Sequence, residues 1–450
     1  MPKTNLRSTA VFRRGNGVAA AQPPLLVTVD DRLPSDHFVR LLLPLVEEVL
    51  GSELRRTCSK VGGFPYDPVC LLCVWLYGYM LGIRTSRRLE EMCRYDSRFE
   101  FLCRSCRPDH TTLSRFRQAL GESMDELLAR VCQAAQSEGL LSRKTKAVDG
   151  TKMAARTSQW RRARKEADQA EALEQEATTM VSHGQYLVGY NVQAAADTDS
   201  KMVLGYVVST AAEDRSQMEG VLDAVERQSG QTSAQVVADS GYDSSINALA
   251  LEEAKIEAYL PTSRKEKRPV FEPDGCGNLV CAAGHVAKQR RWVDKRRGDK
   301  LYNVFRVSKC AGCPLQKFCP GKGKQRLMRV LACDSNFAKH QANARCKTAQ
   351  GKSALRARGP TIEFVFAVVK GRYGLRRFVL GGTQGAAKEF GLAVLAHNFE
   401  RFNHLRGVAQ QAACAAFWAL RRLWAGPRAS WRPNAPQTAQ NRHCPLAGCG

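Results

Sequence analysis

Acidic residues are scarce in this chain: 43 Asp and Glu stand against 68 Lys and Arg, leaving a net charge of +25 over 450 residues. An excess of that size implies a polyanionic partner or an anionic membrane face. Long apolar runs are lacking too. Val408 to Leu420 is broken by Gln410 and Gln411 and followed by Arg421 and Arg422, short of the ~18 residues that span a bilayer. The opening MPKTNLRSTAVFRRGNG has no apolar centre, so a secretory signal is not expected. With membrane and export set aside, the expected partner is nucleic acid and the expected setting the cytoplasm, in association with the nucleoid. Cysteine is plentiful, and seventeen of them without an export signal read as free thiols or a metal site rather than a disulfide framework.

The stretch that organises the chain is AVDGTKMAA, Ala147 to Ala155. Two apolar residues lead to Asp149, and Gly150 lets the backbone approach a neighbour closely, so the pattern reads as the exit of a buried strand. Asp before Gly is by itself an ordinary turn signal. Its context decides the matter. Before it, residues 1–25 read as a basic disordered arm, and 26–140 as a helical domain. Phe38, Leu41, Leu42, Leu45 and Val46 form one stripe, Val69 to Met80 is almost wholly apolar, and PDHTTLSRFRQAL starts a helix at Asp109 or Thr111 with Ser114, Arg115 and Arg117 on or near one exposed face. That helix is either a solvated basic surface or a DNA contact.

After Asp149 comes a charged helical segment, Gln159 to Thr179, and then a regular alternation. LVGYNVQAAAD and MVLGYVVST read as two strands of a hairpin turning near Asp197 to Lys201, SQMEGVLDAVERQ as a helix, AQVVADSGYD as a strand ending at Asp239, INALALEEAK as a helix and EAYLPTS as a strand. This order predicts a mixed α/β sheet with helices packed on it. It also lets Asp149 and Asp239 lie side by side although ninety residues separate them. Adjacent carboxylates repel unless a cation sits between them, and a divalent metal is the usual resolution.

From about 262 to 328 the pattern breaks into polar, basic sequence with GCGNLVCAAGH and KCAGCPLQKFCP. Cys310 and Cys313 have the spacing of a zinc knuckle, Gly312 and Pro314 supply its turn, Cys319 follows, and Cys281 or Cys276 completes four thiolates, with His285 a substitute ligand. Arg290, Arg291, Lys295, Arg296 and Arg297 flank this set and could hold phosphates. The pairs Cys70/Cys73 and Cys103/Cys106 share the gap without the turn chemistry, and the first reads as core packing. Beyond the insertion, TIEFVFAVVKGRYGLRRFVLGG carries Glu363 and Lys370 seven residues apart, on one face if helical. An acid in so apolar a run needs a reason. A further helix, KEFGLAVLAHNFERFNHL, follows, and residues 407–450 form an Ala-, Arg- and Trp-rich tail with no assignable chemistry.

In their order and spacing these segments resemble the DDE transposases of prokaryotic insertion sequences, in the branch with a helical N-terminal domain and a cysteine-containing insertion. The resemblance rests on GFPYDPVCLLCVWLYGYMLGIRTSRRLEE, PDHTTLSRFR, VDGTK, GYNVQAAAD, VVADSGYDS, the Cys281/Cys310/Cys313/Cys319 spacing, the Glu363-to-Lys370 interval and LAHNFERF. It implies a ribonuclease H-like core over 141–406 with a zinc-ribbon-like insertion, and Asp149, Asp239 and Glu363 as catalytic ligands of two Mg2+ ions, for which Mn2+ can substitute. It implies Lys370 at the DNA end, with Arg115, Arg117, Lys152, Arg356 and Arg358 as further DNA contacts, and a homodimer working on terminal inverted repeats and target DNA. One departure stands out: the family commonly has arginine four residues before the glutamate, where this chain has Gly359, so that Arg356 or Arg358 must substitute. Two competing readings are a catalytically inactive, zinc-stabilised DNA-binding protein and a general nuclease or resolvase acting without specific ends.

Overall fold

The computed structural model describes residues 10–11, 26–59, 66–121, 123–142, 144–156, 176–182, 184–230, 232–262, 271–273, 279–294, 300–315, 319, 326–331 and 334–424. Apart from a short pairing of Ala10–Val11 with Leu26–Val27, the N-terminal arm lies outside them, as do Cys276, Lys295, Arg296, Arg297, most of the charged segment after Gln159 and the chain beyond Trp424.

Six helices open the described chain: α1 (Phe38–Ser59), α2 (Pro68–Met80), α3 (Ser86–Tyr95), α4 (Ser97–Leu102), α5 (His110–Leu120) and α6 (Met124–Ser137). Each start that matters here has a local cause. Asp67 accepts from Val69 N and is followed by Pro68 at the first helical position, while Asp109 accepts from Thr112 N at 2.6 Å. Every residue of α2 from Val69 onward is buried, as its unbroken apolar run requires. Burial pushes the Cys70 thiol up to about 12, which makes it a packing residue. The expected stripe on α1 holds for Leu42, Leu45 and Val46, but Leu41 is exposed.

The predicted alternation follows. Strands β1 (Thr145–Ala154), β2 (Thr178–Ser182), β3 (Gln185–Asp197), β4 (Val203–Ser209), β5 (Gln235–Val237) and β6 (Glu257–Tyr259) form one six-stranded mixed sheet, with α7 (Met218–Ser229) and α8 (Ser245–Glu253) in the connections. β3 pairs antiparallel with β1 along one edge, and shares its other edge between β2 and β4. β5 joins β1 in parallel, and β6 joins β5 in parallel. β2 takes the end of a segment expected to be helical; its Thr and Val content suits a strand. Gly205 is required where β4 passes under α7, since a Cβ there would meet the Val225 backbone nitrogen at 2.6 Å.

The insertion contains β7 (Phe271–Pro273) paired with β8 (Leu279–Cys281), and a three-stranded antiparallel sheet of β9 (Lys288–Asp294), β10 (Lys300–Val307) and β11 (Arg326–Leu331). Leu279, Ala287, Val307 and Cys310 make a small core of their own. The main core instead runs continuously from Leu33 to Phe402, so the N-terminal helices and the large sheet share one interior.

Helices α9 (Asp334–Arg345) and α10 (Ala349–Arg358) lead into a π-turn at Gly359–Glu363, a short α11 (Phe364–Ala367) and a second π-turn at Val368–Arg372. The last element, α12 (Gly382–Trp424), is 43 residues long and passes unbroken through the boundary expected near 406. It explains LAHNFERF. Asn398 accepts from Val203 N and donates to Val203 O, both at 2.8 Å, giving the edge strand β4 a side-chain neighbour. His397 and Arg401 bind the carbonyls of Lys201 and Ser200 in the adjoining hairpin turn. Among the described residues no helix is long and apolar enough to cross a membrane.

Candidate active site

Backbone register brings the first two acids together. β1 and β5 pair with a constant offset of ninety residues, Thr145 with Gln235, Lys146 with Val236 and Ala147 with Val237. The same offset carried two residues further sets Asp149 beside Asp239. Asp149 is not at the end of its strand, as its glycine suggested. It lies mid-strand, because β1 continues against β3 as far as Ala154, and it is the neighbour β5 that stops. Asp239 lies two residues past that stop and caps a 3-10 turn, Ser240–Tyr242, by accepting from Gly241 N at 2.7 Å.

Asp149 is mostly buried, accepts from Gly150 N at 2.8 Å and pairs with Arg358 Nη1 at 2.9 Å. Burial is the main cause that lifts its pKa to about 6; Arg358 opposes the rise and Asp239 adds to it. This carboxyl therefore lacks positive charge even with a guanidinium attached. Arg358 uses its other nitrogen, Nη2, to hold Glu363 Oε1 at 3.2 Å. One arginine thus bridges the strand-borne acid and the helix-borne one. The two residues are five apart across a π-turn, whose i to i+5 repeat sets them on one face as an α-helix sets residues four apart. That resolves the departure at Gly359: the π-turn moves the arginine back by one residue, and a Cβ on Gly359 would stand 3.4 Å from Glu363 Oε1.

Lys370 does not share a contact with Glu363. Its ammonium donates to Thr151 Oγ1 at 2.5 Å and to the Lys152 carbonyl at 3.0 Å, on β1 two and three residues beyond Asp149. Burial chiefly, and Arg376, lower its pKa, against an opposing pull from Asp149. The following segment clamps the far end of β1, with Ala154 N donating to Arg376 O and Phe378 N to Ala154 O. Lys152 turns to the other side and donates to Val181 O at 2.9 Å.

The remaining cations divide. Arg115 and Arg356 are exposed. Arg117 is not on the exposed face expected for it: it is buried, stacked 4.6 Å from the centre of the Trp75 ring and donating to Arg84 O. One turn on from Leu113 and adjacent to Phe116, it is turned into the core, where the indole face and the buried Glu389 carboxyl attract its charge.

A residue that sequence reasoning missed stands behind the two acids. Asp214, in the loop before α7, takes Asn191 Nδ2 at 2.8 Å and Gln193 Nε2 at 2.7 Å on the same oxygen, Oδ1. Gln193 Oε1 in turn accepts from the Tyr242 hydroxyl, whose pKa burial raises well above the ordinary value. The available signal was the glycine after each acid. A Cβ on Gly150 would run into the Gln193 amide and lie 2.8 Å from Asp214 Oδ1, and one on Gly241 would lie 2.9 Å from Asp239 Oδ1 and 3.4 Å from Asp214 Oδ2.

In the insertion, Gly284 at φ +80 closes the turn after Cys281, and Gly312 at φ +73 the turn from Cys310 to Cys313. Cys310 is buried and Cys281 packs on the same small core; Cys313 and Cys319 are half-buried and follow in the next turns. Among the described residues, no three or more His, Cys, Asp or Glu side chains are grouped so as to hold a metal.

Comparison with known proteins agrees with the resemblance. Residues 27–119 match a family described as "Transposase domain (DUF772)", and residues 280–403 match a "Transposase DDE domain". The second span contains the cysteines, Glu363 and Lys370; Asp149 and Asp239 lie outside it. No curated protein matches the chain. An N-terminal and a C-terminal transposase domain in this order support an insertion-sequence DDE transposase.

Proposed function

We infer that the protein cuts DNA at the ends of an insertion sequence and joins those ends to target DNA, with 141–406 as a ribonuclease H-like catalytic part and 26–140 as the helical part that grips the duplex. The observation that carries this reading is the parallel register of β1 and β5, which continued two residues sets Asp149 beside Asp239, with the Arg358 guanidinium between Asp149 and Glu363. The sheet order supports it: three antiparallel strands, β1, β3 and β4, extended on the other side of β1 by two parallel ones.

The donor set suits a hard divalent cation, because every candidate ligand is a carboxylate oxygen and Asp149 is short of positive charge. Asp149, Asp239 and Glu363 would hold Mg2+ or Mn2+. Such ions supply an activated nucleophilic oxygen and neutralise the leaving one in phosphodiester displacement. The chain's own residues do the rest. Arg358 holds Asp149 and Glu363 together and, with a cation in its place between them, would be free for a phosphate. Lys370, fixed against β1 beside Thr151, two residues beyond Asp149, would set positive charge where a DNA end lies. Arg115 and Arg356 add charge that is open to solvent. In the insertion, Cys281, Cys310, Cys313 and Cys319, with His285 adjacent, are the residues that would have to draw together to hold a structural zinc.

The test is nicking of a duplex carrying the inverted repeats that border the reading frame, with and without Mg2+. Metal-dependent cutting at the repeat ends by the wild type is expected. Binding without cutting in any divalent metal would refute the reading.

A further inference from the structure

We propose that Asp214 is a positioning residue for Asp239, acting through a relay of Gln193 and Tyr242; the proposal rests on the reading that Asp149 and Asp239 share a cation. The relay can be followed atom by atom. An amide side chain has a donor end and an acceptor end. Asp214 Oδ1 takes the donor end of Gln193, which leaves Oε1 as the only end that can face the Tyr242 hydroxyl. Tyr242 closes the 3-10 turn that Asp239 caps. Fixing Gln193 therefore fixes the turn, and the turn fixes the carboxylate beside Asp149.

Three observations independent of the relay agree. Asn191 donates to the same Asp214 oxygen, so the carboxylate is held from two buried, successive same-face positions of β3. Asn247, buried at the start of α8, donates both to the Asp214 carbonyl and to the Tyr242 carbonyl, tying the two loops a second time through their backbones. This carboxylate also lies close to both glycines that follow the acids: a Cβ on Gly150 would stand 2.8 Å from Oδ1, after the Gln193 amide at 2.4 Å, and one on Gly241 3.4 Å from Oδ2, after Asp239 Oδ1 at 2.9 Å.

The experiment is calorimetric titration of Mn2+ into the metal-free full-length protein without DNA. Asp214→Ala is expected to weaken Mn2+ binding about 10–100-fold, the usual effect of losing an outer-shell partner. Tyr242→Phe breaks the far end of the relay and should give a loss of the same size, and the double variant should lose little more than either single one. Asp214→Asn keeps an acceptor oxygen for the two amides and should restore most of the affinity. Unchanged Mn2+ binding in Asp214→Ala and Tyr242→Phe would overturn the proposal, provided that Asp149→Ala abolishes binding. If Asp149→Ala also leaves binding intact, the shared-cation reading itself fails. An Asn variant as weak as the Ala variant would also overturn the relay, because charge rather than tethering would then govern. Should Asp214→Ala fail to fold, the Tyr242→Phe and Asp214→Asn results decide alone.

Discussion

Two of the three acids are built into a sheet and the third rides on a helix, and the contrast between them is instructive. Asp149 sits within β1 and Asp239 just past the end of its parallel neighbour β5, both set by the register of those strands and braced from behind by Asp214. Glu363 has a side chain that is 64% exposed and held only by Arg358. The strand-borne pair is a fixed geometry carrying a built-in electrostatic strain, whereas the helix-borne acid is free to adjust to whatever enters.

The largest effect should separate the two classes. Asp149→Ala or Asp239→Ala is expected to reduce Mg-dependent nicking by at least about 1,000-fold, since metal-assisted charge stabilisation is worth several kcal/mol. Glu363→Gln should cost less, roughly 10–100-fold, as seen in single-turnover nicking at saturating Mn2+. A Gln variant as dead as the Asp149 one would break the contrast.

A stability measurement sharpens it. The pKa of Asp149 is raised in the fold to about 6 from an ordinary 3.8, so its favourable contribution is present below about pH 3.8 and is lost as pH rises through about 6. At pH 7.5 the ionised group is a cost on the order of 1–3 kcal/mol. Asp149→Asn should therefore raise the melting temperature of the metal-free protein by a few degrees at pH 7.5, with the gain shrinking towards pH 4. A lower melting temperature at pH 7.5 would mean that the Arg358 pair outweighs the burial. For the same reason Mn2+ affinity in calorimetry should fall as pH drops through 6, the proton competing for Asp149.

The smallest effect concerns the arginine. Arg358→Ala removes the cation that a metal must displace, and at pH 8 without DNA it should tighten Mn2+ binding about 2–5-fold, the worth of a partly exposed ion pair. Weaker binding would show that Arg358 organises the acids more than it competes for them.

How far the sequence disclosed this arrangement varied with the kind of interaction. Strand order and the nearness of Asp149 to Asp239 were legible, because apolar alternation and interval length are local signals. The helical domain and the buried α2 were legible for the same reason. Arg117 was not: a basic residue on a basic helix reads as exposed, and only the tertiary approach of Trp75 on α2 reveals its place. Arg358 was half-legible, since the missing arginine at Gly359 could be noticed but a π-turn has no sequence mark. Asp214 was hidden in a loop whose composition, TAAEDRSQ, is that of any surface connection. The end of the catalytic part was placed near 406 from composition, yet α12 continues to Trp424, since Ala and Arg favour helix as much as they favour a basic tail.

The length of α12 has a consequence for where DNA is cut. At 1.5 Å per residue its 43 residues reach about 65 Å, and on the way it packs against α2 and α6 of the N-terminal helices as well as β4 of the sheet. Like the spine of a caliper, it fixes both jaws to one bar. Under the proposed function, a duplex held at the exposed Arg115 would meet Asp149 at a set span, and the protein rather than the DNA would measure out the base pairs between the recognised sequence and the scissile bond.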